Sequence, residues 1–311
     1  MLNDTIGVNI SKDHLDAYRM SDGANRSFTN DKTGHKAFKV WLGTADTRIV
    51  FEPTGPYHRA FERRLAEAGL ALVKVNPRQV RRFAEATGKL AKTDKLDAAM
   101  LARMGSLLDL QARPVCSPLL NDLKDLSRAR EALVKNRIAV KYRAKTQTLA
   151  ILKRQNATQL RQIERHMAAI EDEIMALVTS APELAHRFEI LVSIPGISTV
   201  TALALIIDMP ELGSLENGQA ASLAGLAPVA RQSGQRTGHA FIRGGRANVR
   251  QALYMPAIVA MRFNPDLKAK YIQLRAAGKP AKKAITAIMR KLIVLANALL
   301  RDDRKWAKSP A

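Results

Sequence analysis

The sequence predicts an α/β domain with a mixed sheet, then a long helical hairpin, then a mainly helical C-terminal domain. Three observations carry this. Five short strand-like runs alternate with helical patterns through the N-terminal third. Residues 119–153 and 159–179 keep helical periodicity without proline or glycine. Beyond Pro182 the pattern is mainly apolar and helical, with one Gly-rich basic loop at 231–246.

The elements follow in order. In "TIGVNISKD" (5–13), Ile6, Val8 and Ile10 alternate with Gly7, Asn9 and Ser11, the period of a half-buried strand. "LDAYRM" and "RSFTN" continue a meander, and "TRIVFEPT" and "ALVKVN" supply two later strands. Helical patterns fall at 35–43, 56–69, 77–87 and about 94–108. A meander followed by strand–helix alternation implies a mixed sheet covered by helices. "QARPVCSPLLNDL" carries two prolines and marks a boundary. The two long helices then read as an antiparallel hairpin broken near "RQNAT" (154–158), of a kind that pairs between subunits. "LVSIPGISTVTALALIIDM" (191–209) reads as apolar helix, tight turn, apolar helix. The expected domains are 1–110, 111–182 and 183–311.

Charge narrows the function. Lys and Arg number 50 against 28 acids, a net charge of +22. Such a surplus favours a polyanionic partner, of which nucleic acid is the usual one. No apolar run reaches the ~18 residues of a membrane span, and no signal-peptide pattern opens the chain. The lone cysteine, Cys116, gives no internal disulfide and fits a reducing cytoplasm. Between Asn217 and Arg301, 15 bases face one acid, Asp266. A solvated surface would mix signs, so this segment is a candidate phosphate-facing surface. On the hairpin, Arg128, Arg130, Lys135, Arg137, Lys141, Arg143 and Lys145 are opposed only by Glu131. They are the second candidate for RNA or DNA contact. Aromatics are 5% of the chain, too few for base stacking to dominate.

Three carboxylates stand out. Glu52 ends an apolar strand just before Pro53 and Gly55, a common place for function. Asp94 and Asp97 are three apart and share a helix face. Either helical acid alone could simply complement the helix dipole. Together with Glu52 they would repel one another, a cost that Mg²⁺ or Mn²⁺ removes. A ribonuclease-H-like sheet would add an acid at the centre of its first strand, and there this sequence has Asn9.

"GVNISKD", "FEPTGPYH" and "AKTDKLDAAMLA" resemble the N-terminal domain of the DEDD-type insertion-sequence transposases, the Piv-like, bridge-RNA-guided DNA recombinases. "LVSIPGISTVTA", "LAGLAPVARQSG" and "IRGGRANVRQALY" resemble the C-terminal domain of the same family. The resemblance implies a resolvase-like, ribonuclease-H-type domain whose metal ligands fall at positions 9, 52, 94 and 97. It implies a nucleophilic serine at Ser233, activated by a metal or an acid, with His239 a weak candidate base. Arg231 and Arg236 flank that serine and suit transition-state charge. Arg243, Arg246 and Arg250 follow the Gly-rich turn and suit backbone contact. The "IPGIS" turn resembles a helix-hairpin-helix, with Ser198 in place of its second glycine. The expected partners are double-stranded donor and target DNA, a noncoding guide (bridge) RNA, and further copies of the chain as a dimer of dimers. The expected setting is prokaryotic, cytoplasmic and nucleoid-associated. Asn9 departs from the family's aspartate and puts activity in question. Two alternatives are a junction-resolving metal-dependent nuclease that uses water, and an inactive nucleic-acid-binding protein.

Overall fold

A computed structural model describes residues 4–43, 47–88, 93–108, 110, 112, 117–233 and 236–308. Cys116 and the side chains of Arg236 and His239 lie outside the described residues. The chain forms two compact units, Met1–Cys116 and Ser117–Ala311.

The first unit runs β1 (Asp4–Ile10), β2 (His14–Arg19), β3 (Asn25–Thr29), α1 (Lys32–Leu42), β4 (Thr47–Phe51), α2 (His58–Ala66), β5 (Ala71–Lys74), α3 (Pro77–Ala86) and α4 (Asp94–Leu107). The sheet order is β3-β2-β1-β4-β5. β1 pairs antiparallel with β2 and β2 with β3, whereas β1–β4 and β4–β5 are parallel. β1 is therefore central, and helices cover both faces of the sheet. On one face Ile6, Val8, Ile10, Ile49 and Phe51 pack with Phe38 and Leu42 of α1 and Phe61 and Leu65 of α2. On the other, Val50 and Val73 pack with Val80 of α3 and Met100, Leu101 and Met104 of α4.

Gly7 explains how closely α4 approaches. A Cβ there would lie 2.0 Å from the Ala98 carbonyl oxygen and 2.4 Å from the Ala102 nitrogen. Only a residue without a side chain lets the helix backbone rest on the strand. Gly7→Ala should force α4 outward and cost about 3 kcal/mol or more, at or beyond the upper range of overpacking. Urea unfolding of the two proteins measures this. A loss under about 1 kcal/mol would show that α4 has slack the packing does not suggest.

The second unit contains α5 (Pro118–Thr146), α6 (Ala150–Ser180), α7 (Pro182–Val192), α8 (Thr199–Asp208), α9 (Asn217–Leu223), β6 (Pro228–Ser233), β7 (Arg236–Ile242), α10 (Ala247–Ala252), α11 (Tyr254–Phe263), α12 (Pro265–Ala276) and α13 (Ala281–Arg301). α5 and α6 form an antiparallel pair, with Arg130 bonded to Glu171 and Arg143 to Gln159. Val140, Ile163 and Met167 form a seam between them. Leu123, Ile174 and Val178 join the base of the hairpin to Leu203 and Ile207 of α8. The amphipathic α13 buries Ile288, Leu292, Ile293 and Leu299 against α7, α8 and their neighbours.

Two expectations need correction. The hairpin turns at Gln147–Leu149, where Gln147 and Leu149 have extended dihedrals, not at "RQNAT". Asn156 reads as a breaker in sequence, but it is buried in α6 and donates its amide across the turn to the Gln147 side chain. The Gly-rich basic segment is not an open loop either. It takes in the end of β6 and all of β7, with the left-handed pair Gly244 and Gly245 following.

Candidate functional site

The β1–β4 register sets the first site. Val8 pairs with Phe51, so Asn9 and Glu52 stand one step further along the two central strands. Strand alternation puts them on the face of Gly7 and Val50, the face that α4 covers. α4 begins beside them. Thr93 caps it, its hydroxyl accepting from the Leu96 N–H at 3.3 Å. Asp94 and Asp97 both lie in the first turn. Asn9 Nδ2 donates to Asp94 Oδ1 at 2.9 Å. The amide at the centre of β1 thus faces an acid of α4, across 85 residues of sequence. Glu52, Asn9 and Asp97 are half-buried and Asp94 is exposed. Glu52 and Asp97 each have further polar partners of their own. Among the described residues, no three His, Cys, Asp or Glu side chains are grouped to hold a metal ion.

A second network, not singled out by any sequence signal, ties down the segments that leave the two central strands. Asn30 Nδ2 donates to the Ser11 carbonyl at 2.8 Å and to the Tyr57 carbonyl at 3.1 Å. Ser11 follows Asn9 by two residues, and Tyr57 ends the loop that Glu52 begins. Asn30 Oδ1 accepts from His35 Nε2, and His35 Nδ1 accepts from Arg64 Nη1, both at 2.8 Å. These partners fix one neutral tautomer of a ring that is 1% exposed. Burial first, then the Arg64 charge, lowers the His35 pKa from 6.5 to about 4. His58, at the start of α2, is lowered by burial and by Lys74.

A stability prediction follows. The folded state keeps His35 neutral while the unfolded chain takes up its proton near pH 6.5. The contribution is complete above that value and declines as pH falls toward 4. Between pH 7 and 5 the unit should lose about 2 kcal/mol from this group. Urea midpoints at the two pH values check it. His35→Gln should flatten the profile, leaving the slope that His58 adds in the same direction.

In the second unit Ser233 ends β6, exposed, paired in register with Arg236. Arg231 sits two residues back on the same exposed strand. Arg243 is exposed and forms no ion pair among the described residues. Arg246 is engaged within the fold. Its guanidinium grips both Glu211 carboxylate oxygens at 2.6 and 2.7 Å and the Asp208 carbonyl at 2.7 Å. Arg250 donates to the Gly244 carbonyl at 2.8 Å. These two arginines hold the Gly-rich turn in shape, and Arg243 is left facing outward. On α5, Arg130 pairs with Glu171 and the more exposed Arg128 lies 3.6 Å from Asp125. Lys135, Lys141, Arg143 and Lys145 are exposed, and Arg137 is half-buried. In the "IPGIS" turn Gly196 has φ +106°, and a Cβ there would meet the Pro256 carbonyl at 2.7 Å. Packing against α11 accounts for that glycine.

No helix among the described residues is long and apolar enough to cross a membrane. Residues 6–155 match the DEDD transposase family model of IS110 elements, and residues 188–272 match the model described as transposase IS116/IS110/IS902 family. The chain is 29% identical over 318 residues to the pilin gene-inverting protein of Moraxella bovis, covering 97% of each chain. It is 31% identical over 159 residues to an uncharacterized 43.6 kDa protein of insertion element IS110 from Streptomyces coelicolor, covering 50% of this chain and 38% of that one. The two matched segments account for most of the sequence, in the order in which the motifs occur. The chain belongs to the IS110 family of DEDD-type insertion-sequence transposases.

Proposed function

We propose that this chain is an RNA-guided DNA recombinase that exchanges strands between donor and target DNA. The observation that carries the reading is the contact of Asn9 with Asp94, beside Glu52 in the β1–β4 register. It gathers chain positions far apart in sequence at one end of a central parallel strand pair. A ribonuclease-H-like sheet uses this placement for its acids, and the order β3-β2-β1-β4-β5 is consistent with one.

Asn9, Glu52, Asp94 and Asp97 would hold the cation. All four offer oxygen, the donor type that Mg²⁺ or Mn²⁺ takes, but only three are acids. When bound, the cation supplies charge stabilisation for attack on a phosphodiester. Ser233 is the nucleophile: its Oγ forms a bond to phosphorus as one sugar oxygen leaves, and the hydroxyl proton passes to a base. Arg231 and Arg236 neutralise the phosphate in that step. Exposed bases of α5 and of residues 217–301, Arg243 among them, contact nucleic-acid backbone without reading sequence. Sequence choice then falls to a noncoding guide RNA. Synapsis of two duplexes calls for a dimer of dimers, built from domains 1–110, 111–182 and 183–311, in a prokaryotic cytoplasm on the nucleoid.

The test uses donor and target plasmids with the RNA that co-purifies with the chain. Recombination should require both that RNA and Mg²⁺. Recombination that survives ribonuclease treatment would remove the RNA from the proposal, and cleavage without joining would favour a junction-resolving nuclease.

A further inference from the structure

Glu52 stands one residue beyond β4, where the parallel ladder to β1 has ended. The segment that follows therefore shares in placing it. Pro53 fixes its own φ, and residues 54–57 close into a turn in which the Tyr57 N–H donates to the Thr54 carbonyl at 3.1 Å. Beyond Asn9 the chain is equally tight. The Ser11 N–H donates to the His14 carbonyl at 2.9 Å, and the Ser11 hydroxyl accepts from the His14 N–H at 3.0 Å. Asn30 joins these two turns, its Nδ2 donating to the Ser11 and Tyr57 carbonyls. Asn30 is itself placed by its backbone N–H, which donates to the Asp13 carbonyl at 2.8 Å.

The direction of the Asn30 amide is set from behind. Arg64 can only donate, so His35 Nδ1 accepts and the ring proton sits on Nε2. Nε2 then donates to Asn30 Oδ1, which turns Nδ2 toward the two carbonyls. The ring is 1% exposed and packs edge-on to Phe61, so it is held in this orientation. The sheet does not need the relay for its register, since β1 pairs along its length with β2 and β4. What the relay adds is a fixed spacing between the turns that leave Asn9 and Glu52.

We propose that Asn30, aimed by Arg64 and His35, is a positioning residue for strand exchange, setting Asn9 and Glu52 at the spacing a cation requires. The inference rests on the cation reading given above for those two residues. Mg²⁺ and Mn²⁺ sites reward fixed ligands, because a ligand that wanders forfeits the coordination geometry. Hydrogen-bonded partners that orient metal ligands are worth about 10- to 100-fold in metal affinity.

The experiment uses the full chain and its Asn9→Asp version, each with and without Asn30→Asp. Asparagine and aspartate have the same shape, but a carboxylate cannot donate, so Asn30→Asp opens the clamp without leaving a cavity. Mn²⁺ is the probe, with the free ion counted by electron paramagnetic resonance. In the Asn9→Asp version, Asn30→Asp should weaken Mn²⁺ binding about tenfold or more, with the number of ions bound per chain unchanged. The added negative charge alone would tighten binding, so a loss is not a field effect. Partial unfolding would instead remove bound ions at constant affinity. In the same version, His35→Gln keeps an N–H where Nε2 now donates and should bind Mn²⁺ nearly as well as the parent. His35→Leu, of similar size, lacks that donor and should weaken binding as Asn30→Asp does. Unchanged or tighter binding in Asn30→Asp overturns the proposal. So does equal loss in the two His35 variants, or fewer ions bound at unchanged affinity. If Mn²⁺ binds none of the proteins, Asn9→Asp included, the cation reading itself fails and the proposal with it.

Discussion

Ser233→Ala should reduce strand cleavage and exchange by at least about 10³-fold and eliminate any covalent protein–DNA species, because a methyl group cannot attack phosphorus. The fold should barely notice. Ser233 is exposed at the end of β6, and among the described residues no hydrogen bond of its side chain holds β6 to β7. The thermal midpoint should therefore move by less than the few degrees that about 1 kcal/mol produces. DNA affinity should also persist, since Arg231, Arg243 and the α5 bases are untouched. Activity loss with unchanged stability and binding is the signature of a lost nucleophile. The measurement is a denaturing gel of protein with end-labelled DNA, quenched during a single turnover. If Ser233→Ala cleaves at the original rate, water is the nucleophile and the chain is a junction-type nuclease.

Much of this architecture was legible in the sequence, because the informative signals were local. Alternation in "TIGVNI" and the helical periodicity of 159–179 each mark an element on their own. The acidic site was partly legible for the same reason. A strand-end acid and a same-face helical pair are short-range patterns. The contact of Asn9 with Asp94 depends on where Gly7 lets α4 rest on β1, and the sequence shows that glycine only as one more small residue.

What stayed hidden is pairing at a distance. Arg246 looks like Arg243 in a Gly-rich basic run, yet Glu211 claims it from 35 residues away. His35 and Asn30 carry no motif, and their roles emerge only when α1, α2 and the ends of β1 and β4 converge. Asn156 misled for the opposite reason. An amide in a polar run usually marks a break, whereas here it closes one from inside the helix.

Asn9→Asp should raise strand exchange by two orders of magnitude or more at saturating DNA and matched Mg²⁺. The contact made at position 9 gives the reason for the expectation. Asn9 Nδ2 donates to Asp94 Oδ1 at 2.9 Å, so the amide supplies an attraction where a second carboxylate would repel. The site would offer a cation one anionic ligand fewer than with aspartate there. Mg²⁺ demands near-ideal geometry and dehydrates reluctantly, so a neutral ligand should weaken both affinity and placement. Aspartate reverses both effects. Without metal, two carboxylate oxygens at hydrogen-bond distance should destabilise the unit by about 1–2 kcal/mol. With Mg²⁺ at about 100 times its dissociation constant, binding to the folded state alone should restore about 2.7 kcal/mol. The unsubstituted chain should respond much less to the same titration. Urea unfolding with EDTA and with Mg²⁺ reads the first effect, and single-turnover exchange reads the second. Nucleic-acid affinity should match in the two proteins, because the exposed bases of α5 and of residues 217–301 are unchanged. If the two proteins exchange strands equally fast and Mg²⁺ stabilises neither, position 9 holds no metal, and Asn9 is a strand residue satisfied by Asp94.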